Sequence, residues 1–367
     1  MAAYGTKIAE GFSQKLMLEF YDKNLADTIV NRDYEGEINA VGSKLNILNF
    51  DRVAEKTYDG SDLAVDDLTE NNMALTIDQY KSFYWREKTL DRWLSYIKNP
   101  NPTVVTQAAS ERMKNVDSFL LGLYPDVGAG NRVGTDYTTG TVTVDVTTGL
   151  VTGSGTTFTS DMVGRGFKAT GHTTWYRIKS FDSTTSITIE DDKDDATSAY
   201  TGGAIGAGAT YTIEANTALT ITAANLLEQI GQLKLKLDEA EANGHSTVPD
   251  SDRWLIIPPV VEDLIPRATG VALHVPAVYE NLVQKGMVTM LQGFKVFRSN
   301  RLTGDNTDGY RVLAGHPAWV TFAEKMLEVG MEDLTGNFGK AYKDLFVYGA
   351  KVTDERRHFA AEGFWKV

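Results

Sequence analysis

Hydrophobic positions follow two different periods along the chain, which together predict a mixed α+β protein. Short runs rich in β-branched and aromatic residues, bounded by Gly, Pro, Asn or Asp, indicate strands. In the last third of the chain these runs are Trp254–Ile257, Val260–Ile265, Gly293–Ser299, Tyr310–Ala314, Trp319–Glu324 and Leu345–Val352. The pair Asp308-Gly309 tolerates positive φ, so we expect Gly293–Arg301 and Tyr310–Gly315 to form a hairpin.

Helical periodicity marks four other segments. They are Lys7–Val30, Glu87–Ile97, Pro102–Tyr124 and Thr222–Asn243. Asn101 and Pro102 suit the start of the third helix, and Pro125 and Gly128 end it. The fourth helix has one apolar stripe of Leu226, Ile230, Leu233, Leu237 and Ala240. The first helix is amphipathic and packs either on its own core or across a neighbouring subunit.

Two predicted strands flank a polar segment before the long helix. They are Glu37–Phe50 and Met73–Trp85, and the segment between them is Asp51–Asn72. Two long strands with a polar tip form an extended β-arm, and such a ribbon needs a partner surface because it is marginal in water. The alternative is an ordinary hairpin on a local sheet.

Residues 135–213 differ from the rest of the chain in composition, since they are rich in threonine and poor in lysine. Short alternating runs separated by Gly- and Asp-rich turns predict a small all-β sandwich or barrel. Trp175 and Tyr176 are adjacent and so face opposite sides of a strand. We expect one of them in the core and the other directed outward.

The order of these elements resembles the major capsid protein family of tailed bacteriophages, which has the Hong Kong 97-like fold. The resemblance rests on the strand Trp254–Ile257 running into Pro258-Pro259 and a short helix, on Gly293–Asn300, on Leu313–Trp319 and on the closing strand Asp344–Val352. A long helix directly after a β-arm is the second point of similarity. No residue in the pattern is chemically obligatory.

The resemblance implies a five-part organisation. Its parts are an N-terminal arm (1–36), an extended β-arm (37–85), a peripheral domain with a long spine helix (86–127 and 340–367), an inserted β-domain (135–213) and an axial domain (214–339). In this family the arms contact adjacent subunits. The sequence has no long scaffolding segment before the first arm.

Composition narrows the possible classes. A chain of 367 residues is long for one core, so we expect two or three domains. Cysteine is absent, which excludes disulfides, thiolate metal sites and cysteine nucleophiles. No apolar run reaches the roughly 20 residues of a membrane span, and the start lacks the features of a signal peptide.

The net charge of −13 argues against a general nucleic-acid binder, which needs a cationic face. An acidic inner wall would not adsorb packaged DNA. Equally, an acidic surface simply keeps a protein dispersed.

No catalytic motif is found. The five histidines, His172, His245, His274, His316 and His358, lack metal-ligand spacing, and Gly153-Ser154-Gly155 is too short for a nucleophile elbow. We expect His316 to fix a turn beside the core. We interpret the glycine-rich Gly128–Gly134 as a flexible linker because it follows a helix, whereas phosphate loops open one. The loop Gly336–Lys340 lacks the pattern of a phosphate loop.

The acidic run Glu190–Asp195 lacks the spacing of a calcium loop, so we interpret it as a solvated turn. We therefore predict no catalytic, cofactor-binding or metal-binding residues, and no cofactor.

The function implied by the resemblance is structural. Subunits would assemble as hexamers and pentamers into an icosahedral virion shell that encloses DNA without specific binding, and assembly would occur in the host bacterial cytoplasm. The implied partners are further copies of the chain, a separate scaffolding protein, a portal and decoration proteins, with no membrane. One alternative is an adhesive or carbohydrate-binding phage protein acting through 135–213. Another is a hydrolase with dispersed carboxylates.

Overall fold

The computed structural model describes residues 25–33, 44–50, 70–89, 101–192, 199–241, 245–268, 290–336 and 338–367. These residues form a strand-rich α+β protein, as predicted. The predicted helix Lys7–Val30 lies outside the described residues except for its end. The same holds for the polar tip of the β-arm up to 69, for 90–97 of the second predicted helix and for His274.

Four α-helices are present among the described residues. They are α1 (Ala26–Ile29), α2 (Asn101–Leu121), α3 (Leu226–Asp238) and α4 (Pro259–Glu262). The predicted apolar stripe of α3 is buried along its whole length. The helix starts later than Thr222, since the backbone N–H of Thr222 donates to Asn225 Oδ1 in the turn before it.

Most of the described chain is β-structure. The strands are β1 (Lys44–Phe50), β2 (Glu70–Thr76), β3 (Gln79–Lys81), β4 (Tyr84–Lys88), β5 (Arg132–Val133), β6 (Thr135–Tyr137), β7 (Thr141–Val144), β8 (Leu150–Ser154), β9 (Gly166–Ala169), β10 (Tyr176–Ser183), β11 (Ser186–Asp191), β12 (Ile205–Ala209), β13 (Tyr211–Thr217), β14 (Leu219–Thr220), β15 (Trp254–Ile257), β16 (Met290–Leu291), β17 (Phe294–Arg298), β18 (Gly304–Asp305), β19 (Gly309–Gly315), β20 (Val320–Asp333), β21 (Gly339–Val352) and β22 (Ala360–Lys366).

The chain divides into two compact units. Unit 1 contains the described residues of 32–113 and 321–351, and unit 2 contains those of 24–31, 114–320 and 352–367. The finer five-part division stays a prediction.

Unit 1 contains two sheets. The strands β1 and β2 pair antiparallel from Lys44↔Thr76 to Phe50↔Glu70, so the two sides of the predicted β-arm do pair there. The predicted strand Met73–Trp85 is not continuous, because β3 and β4 belong to the other sheet. The strands β20, β21, β3 and β4 form the other sheet, with β21 at its centre. One apolar core contains Ile47 and Leu75 of the first sheet together with Ala323 and Val347 of the second.

Helix α2 carries Arg112 on an otherwise apolar stripe, and unit 1 supplies its partners. The Arg112 guanidinium pairs with Asp344 at 2.5 Å and lies over the rings of Phe83 and Phe346. A charged residue can therefore occupy a core-facing position because both its charge and its flat faces are matched.

Unit 2 contains a mixed sheet with the order β14-β22-β19-β15-β17-β16. Strands β15 and β17 are parallel, whereas β15 and β19, and β19 and β22, are antiparallel. All four residues of β15 are fully buried. A strand that is covered on both faces reads as a continuous apolar run, which explains its Trp-Leu-Ile-Ile sequence.

Residues 135–217 of unit 2 form a second, eight-stranded sheet with the order β12-β7-β8-β11-β10-β9-β13-β6. Ile205 and Ala209 of its first strand and Tyr137 of its last strand pack against one core. That core contains Val142, Val144, Val151, Phe158, Met162, Phe167, Ala169, Tyr176, Ile178, Ile187, Ile189, Tyr200, Tyr211 and Ile213. The sheet therefore curves around its own interior.

Two predictions about the last third are wrong. Gly293–Arg301 and Tyr310–Gly315 do not form a hairpin, because β15 lies between β17 and β19. The Asp308-Gly309 turn instead joins β18 to β19, since a reversal signal does not specify which strand pairs beyond it. Val260–Ile265 is not a strand: α4 begins after Pro258, with Pro259 at its first position, where proline favours a helix.

Three predicted boundaries also shift, namely both ends of one strand and the start of one helix. Residues 317–319 form a 3₁₀ turn, so the strand predicted from Trp319 begins at Val320 and continues to Asp333. The predicted helix from Glu87 begins inside β4, whose pairing with β21 keeps Glu87 and Lys88 extended.

Among the described residues, no helix combines the length and apolar character needed to cross a bilayer.

The alternation in the curved sheet predicts unequal effects of two neighbouring substitutions. Ile187 is fully buried, whereas Leu150 on the adjacent strand is partly exposed. We expect Ile187→Ala to lower the free energy of unfolding by about 2–5 kcal/mol because it leaves a cavity. Leu150→Ala should change it by about 0.5 kcal/mol. Urea denaturation of both full-length variants measures the difference, and equal losses would contradict the assigned register.

Candidate functional site

A buried ion network lies at the centre of unit 2, and Arg132 on β5 is its middle member. The Arg132 guanidinium donates to Glu214 Oε1 at 2.7 Å and to Glu362 Oε2 at 2.9 Å. It also donates to the carbonyl oxygens of Pro125 and Val127. All three charged side chains are almost completely buried. One arginine thus joins strands β5, β13 and β22.

Glu214 is held by the backbone as well as by Arg132. The N–H groups of Gly130 and Gly166 donate to its two carboxylate oxygens at 2.7 and 2.8 Å. Burial nevertheless raises the pKa of Glu214 above its ordinary value. For Arg132, burial acts to lower the pKa, but the Glu214 and Glu362 carboxylates raise it overall. Burial thus works against the charged form of Glu214, whereas the two facing carboxylates favour the charged form of Arg132.

Glu362 binds a second guanidinium. Arg311 Nη1 donates to Glu362 Oε1 at 2.8 Å, and the Arg311 guanidinium stacks over the Phe364 ring at 3.4 Å. Arg165 lies over the same ring from further away. Burial, followed by the nearby Arg311 charge, lowers the pKa of Arg165 to about 10.

The glycine-rich segment 128–134 belongs to this network and is not a flexible linker. Gly128, Gly130, Asn131 and Arg132 are buried, and Asn131 Nδ2 donates to the carbonyl oxygens of His358 and Ala360. A Cβ on Gly128 would lie 2.5 Å from the His358 ring. Glycine is needed here for close packing, because any side chain would displace that ring.

The interpretation of 190–195 as a solvated acidic turn is also wrong at Asp192. Its carboxylate accepts from Ala129 N at 2.6 Å and from Arg357 Nη1 at 2.8 Å. Burial opposes ionisation, but Arg357 and the other donors lower the pKa of Asp192 overall. Among the described residues, no group of three or more His, Asp or Glu side chains could hold a metal ion.

Four of the five histidines lie within the described residues, and each contacts protein groups. His316 Nδ1 accepts from Ala318 N at 3.1 Å in the 3₁₀ turn, so it fixes a turn as predicted. His172 Nε2 shares a hydrogen bond with the Tyr200 hydroxyl. His245 stacks on His358.

Trp175 and Tyr176 separate as predicted. Tyr176 is in the core of the curved sheet. Trp175 is half-buried and contacts Gly130, where a Cβ would lie 2.6 Å from the indole. Trp175 therefore packs against the network segment, which leaves less of its ring free to stack on a sugar.

Unit 1 presents a second candidate, which we call the exposed ribbon: 325–333 of β20, Phe338 with 339–343 of β21, and β4. The ribbon carries apolar side chains in solvent, with exposed fractions of 71% for Val329, 91% for Phe338 and 64% for Tyr84. Met326 and Met331 are also exposed. Inner parts of the same strands, such as Phe322 and Val347, are buried.

The exposed ribbon is ordered by contacts among its own strands. Trp85 of β4 stacks on Tyr342 of β21 with ring centroids 5.2 Å apart. Tyr84 Oη donates to Glu332 Oε1 at 3.2 Å, and Lys343 pairs with Glu332 at 3.4 Å. Apolar side chains that an ordered ribbon holds in solvent make it the candidate interaction surface of unit 1.

Sequence reasoning identified neither candidate. The partners of Arg132 lie 82 and 230 residues away along the chain, so no local motif marks them. The buried segment that contains Gly128 and Gly130 has one signal in the sequence, which is a cluster of glycines before an arginine. The ribbon has a weak signal, since Val329 and Met331 interrupt a charged stretch.

Comparison with solved structures identifies the fold. The chain superposes on a chain of Mycobacterium phage Che8 with a TM-score of 0.60 and 16% identity, covering 98% of both chains. The capsid structure of cyanophage P-SCSP1u gives 0.57 and 12%, covering 97% of this chain and 92% of that one. The capsid of Ralstonia phage GP4 gives 0.56 and 11%, covering 100% and 98%.

The fold is therefore that of phage capsid proteins, and the predicted resemblance is confirmed at this level. No protein-family model matches the sequence, and no curated protein does. The similarity is therefore one of tertiary structure, since only 11–16% of the residues are identical in the three comparisons.

The contact between Gly128 and His358 predicts a stability effect. Gly128→Ala should lower the free energy of unfolding by about 1–3 kcal/mol because the new methyl group overpacks the buried ring. Gly203→Ala is the matched control, since no atom lies within 4 Å of a Cβ there. Thermal denaturation compares the two, and a neutral Gly128→Ala would show that the segment has room to move.

The buried His358 predicts acid sensitivity. Burial, and then the neighbouring His245, lower the pKa of His358 to about 3. Its unfolded pKa is about 6.5, so as pH falls below that value the unfolded chain binds a proton that the folded chain excludes. This group alone should make the protein about 2 kcal/mol less stable at pH 5 than at pH 7.

Urea denaturation at the two pH values measures this effect. His358→Gln removes the titrating group, so the difference between pH 7 and pH 5 should shrink by the same about 2 kcal/mol relative to wild type. Asp192, His245 and Arg357 remain in both proteins and cancel in the comparison. An unchanged pH dependence in the variant would contradict the assignment.

Proposed function

We propose that this protein is the major capsid protein of a tailed double-stranded DNA phage. Copies would assemble as hexamers and pentamers into an icosahedral shell around the packaged genome. The observation that carries the proposal is the extent of the structural match. It covers 97–100% of this chain in the three comparisons above.

The exposed ribbon supports self-assembly. A protein that remained a monomer would leave Val329, Met331 and Phe338 in water at a cost, whereas a neighbouring subunit would cover them. Stable interfaces bury on the order of 1,600 Å² in total, and an extended ribbon offers area of that kind. We assign the ribbon to contacts between copies, together with the arms 1–36 and 37–85.

The charge supports a container that does not adsorb its contents. At −13 per subunit, electrostatic attraction to DNA phosphates is absent overall, so the shell would enclose the duplex without specific binding. We further propose assembly in the host bacterial cytoplasm with a separate scaffolding protein, a portal and decoration proteins. In this view the role is structural and not enzymatic, and 135–213 is an insertion into the axial domain.

Negative-stain electron microscopy with light scattering tests the proposal directly. The purified full-length protein should form shells, tubes or uniform five- or six-membered rings. A stable small oligomer of another symmetry, such as a trimer, would overturn it.

The ribbon predicts variants that fold but do not assemble. Val329→Glu and Phe338→Asp place a charge on a highly exposed side chain, so thermal stability should stay within about 0.5 kcal/mol of wild type. Burying an unpaired charge between copies costs more than about 1.4 kcal/mol, which is a factor of ten in association. The concentration at which particles appear should therefore rise at least about tenfold.

A matched control uses an exposed apolar residue away from the ribbon. Leu235→Glu on α3 places a charge on a side chain that is 44% exposed. It should assemble at the wild-type concentration in the same light-scattering assay. Normal assembly of both ribbon variants would remove the ribbon from the subunit interface.

A further inference from the structure

A small, partly open cavity adjoins the ion network of unit 2. Its volume is about 60 Å³, and its walls include Tyr124, Val163, Arg165, Arg311 and Glu362. By the same measure a single water needs about 10–15 Å³, so the cavity holds a few waters or one group the size of a phosphate or carboxylate. The capsid function proposed above assigns no role to it.

Around this cavity there are more arginines than carboxylates that form ion pairs with them. Three guanidinium groups, those of Arg132, Arg165 and Arg311, line it. The two buried carboxylates, Glu214 and Glu362, are taken up by Arg132 and Arg311 in the contacts described above. Asp161 also lines the cavity, but its exposed carboxylate forms no ion pair with these arginines within 4 Å.

Arg165 is the cation without an acidic partner. Its guanidinium donates to the carbonyl oxygens of Asp161 and Ala215, through Nε and Nη1. Nη2 has no hydrogen-bond partner among the described residues. The residue is 95% buried, since its exposed fraction is 5%. A buried charge satisfied only by neutral carbonyl groups is costly, and an added anion would compensate it.

We propose that this cavity binds a small oxyanion, either a phosphate or a carboxylate, through Arg165 and Arg311. Guanidinium groups bind both anions through paired N–H donors, because the planar fork matches two oxygens. The lowered pKa of Arg165 agrees with a cation in need of a counter-charge. The Phe364 ring backs both guanidinium groups and holds them in place.

Thermal unfolding of the full-length protein at pH 7 tests the site, with sodium phosphate and sodium acetate as separate probes. Ionic strength is held constant with sodium chloride. A bound anion multiplies the folded-to-unfolded ratio by 1 + [L]/Kd, about 11-fold at ten times Kd, and the rise saturates. Saturation with phosphate identifies a phosphate site, and saturation with acetate identifies a carboxylate site.

Two variants at one position separate binding from general salt effects, which stabilise proteins without saturating. Val163 lines the cavity and is 43% exposed, so its replacement spares the buried network. Val163→Glu supplies a carboxylate from the chain itself and should abolish the saturable response, whereas Val163→Gln should keep it. The proposal is overturned if neither anion gives a saturable rise in wild type, or if both variants respond alike. The assay needs no assembled particle, so its outcome is independent of the capsid proposal.

Discussion

The ion pairs of Arg132 with Glu214 and Glu362 are the constraint on which unit 2 depends. They join β5, β13 and β22, which come from three distant parts of the chain. Buried ion pairs contribute little net stability, because desolvation offsets their attraction. Their effect is on uniqueness: with Arg132 misplaced, Glu214 would remain buried without an ionic partner and Glu362 would keep only Arg311. The network therefore selects one arrangement of the strands that meet there.

Close backbone packing around the network follows from the same constraint. The N–H groups of Ala129, Gly130 and Gly166 point to carboxylates, and this requires the chain to pass within hydrogen-bond distance of Asp192 and Glu214. Glycine permits that approach. The curved sheet formed by 135–217 is thereby bound to the mixed sheet through polar contacts, although its apolar core is its own.

Unit 1 has a different physical character. Its inner strand ends share an apolar core, while the outer half of the same strands forms the exposed ribbon. The order in the ribbon comes from aromatic stacking and cross-strand polar contacts. A folded, ordered element that keeps apolar groups in water is suited to contact with another protein surface. Unit 2 is thus characterised by a polar network in its interior, and unit 1 by apolar side chains on its surface.

Local chemistry in the sequence determined the class of the fold, the buried stripe of α3, the turn at His316 and the opposed faces of Trp175 and Tyr176. Each of these depends on residues within a few positions of one another, where periodicity and turn preferences act. Tertiary structure alone decided that β15 separates β17 from β19 and that the glycine-rich segment is buried. Those outcomes depend on partners up to 230 residues away, as for Arg132 and Glu362. Short-range preferences carry no information on which distant charge or strand will meet them.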